Sequence, residues 1–199
     1  DAATALTGLA DAAGAFALPV PLVPNASTSF AGSATTHAGE GLASPPAEAT
    51  LTHDDRAPSV SLQDLPEFVR GTDVAVRAQA TDDGSQVASL ALSVGTQPLA
   101  AALSPTPAAS VSATALWNTI PFGEGPHRLT AMASDQAGNL VTTSRVVTVD
   151  TTPPDTLITG GPSGPVSTST VTFSFGGTDH LTPAGSLRFA WRLDGGPWS

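Results

Sequence analysis

A repeat with a pitch slightly below one hundred residues is the feature that most constrains the fold of this chain. ATLTHDDRAPSVSL, from Ala49, matches RVVTVDTTPPDTLI, from Arg145. VAVRAQATD matches VTFSFGGTD, and ATTHAGE matches ASDQAGN. The equivalent residues are Pro58 and Pro154, 96 apart, Asp82 and Asp179, 97 apart, and Ala34 and Ala133, 99 apart. A nearly constant pitch indicates that one structural unit recurs along the chain.

The repeat divides the 199 residues into one whole unit and two partial units. Residues 57–150 form the whole unit, residues 1–56 match the second half of a unit, and residues 151–199 match the first half. One interpretation is a window on a longer tandem array, with both ends inside a unit. The other is a head-to-tail polymer, in which the last partial unit of one chain is completed by the start of the next.

Apolar and polar residues alternate through the whole unit, which is the pattern of strands with one buried face. The alternating segments include 74–80, 90–94, 111–117 and 129–133, and turn motifs such as DDGS, GTQP, GEGP and DQAGN separate them. About seven short strands in a unit of this size is typical of an immunoglobulin-like sandwich. We therefore predict an all-β protein of tandem immunoglobulin-like β-sandwiches, one complete and two partial.

Three stretches resemble bacterial immunoglobulin-like repeats. They are GPHRLTAMASDQAGNLVTTSRVVTVDTTPP, the opening half GPSGPVSTSTVTFSFGGTD with SLRFAWRLDGGPWS, and the degenerate closing half GAFALPVPLVPNASTSFAGSATTHAGEG. Such repeats occur in large exported bacterial surface proteins of the adhesin or stalk type. The resemblance implies an extracellular or cell-surface location and neighbouring immunoglobulin-like domains as partners. The chain departs from antibody-type domains because it has no cysteine pair and no tyrosine.

The acidic charge of the chain limits its partners. The formal net charge is −10, and every cation is an arginine. Such a chain repels phosphate groups, which argues against nucleic acid, and it offers no basic patch to anionic lipid. The longest apolar stretch, GAFALPVPLV, is too short and too rich in proline to insert across a bilayer. The absence of cysteine excludes disulfides and thiolate sites.

The stretch DTTPPD, residues 150–155, predicts a joint between two units. Pro153 and Pro154 lack a backbone N–H and favour extended backbone, so they end the preceding strand and form a short, stiff spacer. Before this joint, DQAGN is predicted to form the hairpin between the last two strands. Asp135 closes the turn, and Gly138 supplies a positive φ.

Five carboxylates are predicted to meet at the first joint, because the first strand of such a sandwich begins beside the loops that follow strands two and six. They are Asp54, Asp55, Asp82, Asp83 and Asp135. Ca²⁺ takes about six to eight oxygen ligands, so Ca²⁺ is the cofactor that would stiffen this joint. The second joint offers Asp150, Asp155 and Asp179. The competing interpretation is that these aspartates only form turns, since no EF-hand or nonapeptide motif is present.

Other side chains give weaker signals. The histidines His37, His53, His127 and His180 show no metal-ligand spacing, so surface loops and strand ends are predicted for them. Trp117 and Trp191 are predicted in cores, and Trp198, after LDGG, is predicted as a ligand contact in a hairpin. The sequence has no G-x-S-x-G motif, P-loop or dinucleotide fingerprint, so catalysis is not expected.

These observations give one functional hypothesis and two alternatives. The hypothesis is a non-enzymatic structural or adhesive module of an extracellular stalk, sheath or filament, whose partners are neighbouring domains or copies of itself. The first alternative is a binding module for a surface glycan or protein. The second is an accessory segment of a larger exported enzyme or of a phage structural protein.

Overall fold

The computed structural model describes residues 7–36 and 42–199. Regular structure in these ranges consists of strands and two short 3-10 turns, Ile120–Phe122 and Ala184–Ser186, which confirms the all-β prediction. The strands are β1 (Ala26–Gly32), β2 (Ala47–His53), β3 (Ser59–Leu62), β4 (Phe68–Val69), β5 (Val74–Thr81), β6 (Val87–Val94), β7 (Gln97–Leu99), β8 (Ala101–Leu103), β9 (Ser110–Trp117), β10 (Gly125–Asp135), β11 (Leu140–Val149), β12 (Asp155–Gly160) and β13 (Ser174–Thr178). Among the described residues, no helix has the length and apolar character needed to cross a membrane.

Strands β3 to β11 form a sandwich of two sheets. One sheet has the order β3-β5-β9-β8, and the other has the order β4-β11-β10-β6-β7. Neighbouring strands pair antiparallel except β4 and β11, which run parallel with Val69 opposite Val149. This is the strand order of an immunoglobulin-like sandwich in which the first strand crosses from one sheet to the other.

The core lies between the two sheets. It consists of the apolar side chains at every second strand position, which point toward the opposite sheet. Exposed and buried residues alternate along the whole of β9, with Val111 and Ala115 among the buried ones. Trp117 is fully buried at one end of the core, where the rings of Phe122 and His127 meet its indole edge-on. The predicted burial of Trp117 is therefore confirmed.

The predicted hairpin between the last two strands is also present. β10 and β11 pair from Gly125 opposite Val149 to Ser134 opposite Leu140. Gly138 has a φ of +95°, a left-handed conformation that glycine adopts without strain. The DQAGN motif thus forms the turn that the sequence predicts.

A strand pair after the sandwich repeats the pairing of β3 with β5. β12 lies antiparallel to β13 with Asp155 opposite Thr178. In the sandwich, β3 lies antiparallel to β5 with Ser59 opposite Thr81. The two strands of the pair are thus shifted along the sequence by 96 and 97 residues, which is the pitch of the repeat.

A strand pair before the sandwich repeats the pairing of its last two strands. β1 lies antiparallel to β2 with Ala26 opposite His53, and this pairing corresponds to Gly125 opposite Val149 in β10 and β11. The shifts are 99 and 96 residues. The chain therefore shows closing strands before the sandwich and opening strands after it.

Side chains that correspond to the sandwich core are exposed in the partial units. Phe175 is 41% exposed, whereas its equivalent Ala78 is 1% exposed. Trp191 is 59% exposed, whereas its equivalent Leu92 is 2% exposed. The predicted core position of Trp191 is therefore wrong, and its predicted third strand does not form, because no described residues cover this face.

Candidate functional site

The first joint, residues 54–58, is hydrogen-bonded to the loops of the sandwich that follows it. The Asp54 carboxylate accepts the backbone N–H of Ser85 at 2.8 Å and that of Arg56 at 3.0 Å. Hydrogen bonding from the Ser85 side chain, and then from the Arg56 backbone, holds the pKa of Asp54 below its ordinary value. Gly84 permits this approach, since a Cβ there would lie 2.7 Å from Asp54 Cγ.

Asn139 ties the same joint to the hairpin turn of β10 and β11. Its side-chain nitrogen donates to the backbone carbonyls of Asp54 at 3.1 Å and Arg56 at 3.3 Å. It also donates to Asp135 Oδ2 at 2.8 Å, while the Asn139 backbone N–H donates to Asp135 Oδ1 at 2.8 Å. Two amide hydrogens serve three acceptors, so one of these bonds is shared.

Three of the five predicted carboxylates meet at this joint. Oxygen atoms of Asp54, Asp82 and Asp135 all lie within 4.8 Å of one another, and Asp82 and Asp135 are buried. Asp82 Oδ2 accepts the backbone N–H of Gln86 at 2.7 Å, so each of the three carboxylates already closes a turn or joins a loop. The turn-forming role that the sequence predicts is therefore present in all three aspartates.

Asp55 and Asp83 do not join this cluster, because both are exposed. Each follows a clustered aspartate directly, and successive side chains of extended backbone point to opposite sides. The clustered residues could offer a divalent cation three carboxylates, against the about six to eight oxygens that Ca²⁺ takes. Calcium binding stays a prediction, which calorimetric titration of the chain and of Asp54→Asn with CaCl₂ would test.

The second joint is held by Glu124, a residue that no sequence motif indicates. Glu124 Oε1 accepts the backbone N–H of Thr151 at 3.1 Å and the hydroxyls of Thr151 at 2.7 Å and Thr152 at 2.5 Å. The Thr152 hydroxyl, followed by the Thr151 hydroxyl, lowers the pKa of Glu124 below its ordinary value. Both joints therefore use one carboxylate to fix the backbone of a linker.

The structure brings together two of the three aspartates predicted at the second joint. Asp150 and Asp179 line one cleft with Pro153 and Pro154, whereas Asp155 is exposed on β12. The Thr182 hydroxyl donates to Asp150 Oδ2 at 3.4 Å, and the Thr182 backbone N–H donates to Asp179 Oδ1 at 2.5 Å. Hydrogen bonding from the Thr182 backbone lowers the pKa of Asp179.

The remaining predicted residues are dispersed. His53 ends β2, where its Nδ1 accepts the Asn25 backbone N–H at 3.2 Å, and His180 is exposed. His127 packs against Trp117 and contacts the Gly123 carbonyl through Nε2 at 2.9 Å. His37 lies outside the described residues. Trp198 is 64% exposed, with the Arg192 guanidinium 4.8 Å from its ring centroid.

Comparison with known proteins gives structural similarity but no family. No protein-family model matches the chain, and no curated protein matches it significantly. The chain is similar to an endo-β-1,4-mannanase from Thermotoga petrophila, at 19% identity and a TM-score of 0.39, over 49% of this chain and 20% of that one. It is also similar to the SrpA adhesin from Streptococcus sanguinis, at 22% identity and a TM-score of 0.36, over 49% of this chain and 58% of that one. Each match spans less than two thirds of the other protein.

Proposed function

We propose that this chain is a non-enzymatic structural or adhesive module at a cell surface, where it forms a stiff segment of an extracellular stalk, sheath or filament. The supporting observation is that both linkers are hydrogen-bonded to the sandwich between them, through Asp54 at one joint and Glu124 at the other. Prolines 153 and 154 add extended backbone to the second joint. A linker held in this way acts as a spacer rather than a flexible tether.

Copies of the module would join one another by completing their partial units. Two features support this mode of assembly. Aromatic residues of the C-terminal unit are exposed, and no described residue pairs with the outer edges of the two strand pairs. Addition of strands to a free sheet edge gains backbone hydrogen bonds and buries apolar side chains at the same time. The assembly would thus extend a stalk without a separate connecting protein.

Gly84 offers a way to loosen the first joint without touching the core. Gly84→Ala places a methyl group 2.7 Å from Asp54 Cγ and therefore displaces the carboxylate from the Ser85 N–H. Gly185→Ala is the matched control, because a Cβ at Gly185 has no neighbour within 4 Å.

The distance between two spin labels measures the stiffness of this joint. Cysteines introduced at Glu48 and Thr142, both exposed, can be labelled selectively because the chain has no native cysteine. We expect a narrow distance distribution in the parent chain and in Gly185→Ala, and a broader one in Gly84→Ala. A broad distribution in the parent chain would refute the proposal of a stiff module.

Trp198 supports a second candidate function, the binding of a glycan or protein ligand. Its indole is largely exposed, and Arg192 stacks against it through a cation–π contact, which holds a flat apolar surface toward solvent. Affinity electrophoresis through soluble polysaccharides would test this role. Binding through Trp198 would retard the parent chain and the control Leu140→Ala, which changes another exposed residue, but not Trp198→Ala. That result would support the role.

A further inference from the structure

We propose that the open edge of β11 is a self-complementary surface, through which the complete sandwiches of two copies pair side by side. This inference rests on the proposed function and adds a lateral contact to the stalk, sheath or filament. β4 pairs with β11 only at Thr148 and Val149, so none of the described residues pairs with the outer edge of residues 140–147. Other uncovered stretches within the strands of the sandwich, such as residues 74–76 of β5 and 88–91 of β6, are shorter.

The hydrogen bonds to β4 show which residues of β11 face this edge. The N–H groups of Thr148 and Asp150 bond to the Glu67 and Val69 carbonyls, so the backbone groups at these positions point away from β10. Since this direction alternates along a strand, the N–H and C=O groups of the other even-numbered residues point to the open edge. These residues are Leu140, Thr142, Ser144 and Val146, and their side chains are exposed on the outer face of the sheet.

The open stretch lacks the features that prevent pairing at a sheet edge. Residues 140–147, LVTTSRVV, contain no proline, and their one charged residue is Arg145. The Arg145 side chain is half-buried on the inner face, so it does not place a charge among the exposed side chains of the edge. Leu140 and Val146, at the two ends of the edge, are 64% and 54% exposed. A long edge with uncharged outer side chains is a template for another strand.

The order of the edge side chains favours a second copy as the partner strand. From Leu140 to Val146 the outer side chains are apolar, hydroxyl, hydroxyl and apolar, an order that is symmetrical about Thr143. A two-fold axis at Thr143 therefore places Leu140 opposite the partner's Val146 and Thr142 opposite the partner's Ser144. In each of these pairs both residues direct their N–H and C=O groups to each other, so each pair exchanges two backbone hydrogen bonds.

Pairs of hydroxyl side chains already join neighbouring strands in this protein. Ser27 Oγ lies 2.8 Å from Thr52 Oγ1 between β1 and β2, and Ser89 Oγ lies 2.6 Å from Ser134 Oγ between β6 and β10. Thr142 and the partner's Ser144 would form a pair of the same kind. A second copy thus presents a hydroxyl to each hydroxyl of the edge and an apolar side chain to each apolar one.

The charges beside the edge permit this pairing. The two Arg145 side chains of a dimer would lie four residues apart along the paired strands, about 13 Å at about 3.3 Å per residue. This separation exceeds the Debye length of about 8 Å at physiological ionic strength, so their repulsion is screened. The neighbouring segment of β10, residues 128–134, carries one charge, Arg128, whose guanidinium bonds Ser144 Oγ of the same chain at 3.0 Å.

Disulfide trapping with one introduced cysteine tests the two-fold axis. Thr143 would lie opposite the partner's Thr143 in a pair without backbone bonds, where the Cα atoms are about 4.5 Å apart. The chain has no native cysteine, so mild oxidation of Thr143→Cys acts on the introduced residue alone. Thr130→Cys is the matched control, because Thr130 is also a half-buried threonine. It lies on β10, so two copies of it would be at least three strand spacings apart, about 14 Å.

We expect Thr143→Cys to give at least about tenfold more disulfide-linked dimer than Thr130→Cys, because only Thr143 brings two Cα atoms within the range of about 4.4–6.8 Å that a disulfide needs. Equal yields from the two variants, or no linked dimer from either, would overturn the proposal.

Sedimentation equilibrium measures the same contact without a covalent bond. Ser144→Pro removes an N–H that points to the open edge and leaves the pairing with β10 intact. Ser144→Ala is its control, because it loses the same hydroxyl and keeps the N–H. The symmetry of the dimer doubles the loss, so Ser144→Pro should associate at least about tenfold more weakly than Ser144→Ala, which is the effect of about 1.4 kcal/mol.

A second pair of variants leaves the backbone unchanged. Val146→Lys places a charge on the edge, whereas Met132→Lys places one at an exposed position of β10, on the same outer face. Only Val146→Lys should weaken association, and near-ultraviolet circular dichroism of Trp117 shows that each variant is folded. Equal association of these two variants, or a parent chain that stays monomeric at every concentration, would overturn the proposal. The spin-label distance across the first joint is measured on dilute single chains, so failure of lateral pairing and failure of the stiff-module function remain distinguishable.

Discussion

Asn139→Ala should destabilise the complete sandwich and release the first joint in one step. The Asn139 side chain donates to Asp135 Oδ2 at 2.8 Å, and Asp135 is only 3% exposed. Loss of a hydrogen bond to a charged group costs about 1.5–3 kcal/mol, since no other described residue donates to this buried oxygen. The bonds to the carbonyls of Asp54 and Arg56 belong to the linker, so their loss frees the joint.

Urea denaturation followed by near-ultraviolet circular dichroism measures this effect, because the buried Trp117 reports the folded core. A loss of about 1.5–3 kcal/mol corresponds to a decrease in Tm of roughly 6–24 °C for a domain of this size. Asn118→Ala is the control, because Asn118 is exposed and, within residues 7–36 and 42–199, its side chain accepts a bond only from the nearby Ile120 N–H. Equal stability of Asn139→Ala and Asn118→Ala would refute the assignment of Asn139 as the link between turn and joint.

Three further predictions concern the core, the turn and the second joint. Leu92→Ala should cost about 2–5 kcal/mol in urea denaturation, whereas Leu140→Ala, at a position that is 64% exposed, should cost little. Gly138→Val should cost more than Gly138→Asn in thermal melts, because asparagine tolerates positive φ and valine does not. The Glu124 contribution to the second joint should be complete above pH 4.5, the ordinary pKa of glutamate, and should be lost as the pH falls through the lowered value in the folded chain. Spin labels across that joint should show this loss in the parent chain, and a Glu124→Gln variant should show no such transition.

The complete sandwich could be predicted because its sequence signals are local and repeated. Alternation along residues 111–117 specifies which face of β9 is buried, and DQAGN specifies the turn between β10 and β11. The position of Trp191 could not be predicted in the same way. Its alternation is that of a core strand, but burial requires an opposing surface, and that surface is not supplied by any described residue of its own unit.

The candidate site was predictable in its location and less so in its composition. The strand order of the sandwich places Asp54, Asp82 and Asp135 at one end, and the structure brings these three together. Asn139 and Glu124 could not be predicted, because no sequence pattern distinguishes a linker-binding amide or carboxylate from any other polar residue in a surface loop. Their function depends on which linker atoms fold against them, and only the three-dimensional arrangement determines that.

The short parallel contact between β4 and β11 determines how this module would carry tension. The chain enters the sandwich after the first joint, crosses to the far end by β4, and leaves from that same end after β11. Pulling on the two flanking units would therefore draw β4 and β11 past each other along their length. The Thr148 N–H bonds the Glu67 carbonyl at 2.8 Å, the Asp150 N–H bonds the Val69 carbonyl at 3.1 Å, and both bonds lie across the direction of pull.

Hydrogen bonds loaded in this direction share the force, whereas bonds at a peeling strand end break one after another. Asp150→Pro removes the N–H that bonds the Val69 carbonyl, at the end of β11. Single-molecule pulling should therefore record a lower unfolding force for this variant than for the parent chain. An unchanged force would exclude this load path. The mechanical strength of a stalk built from such units would then depend on a strand of two residues.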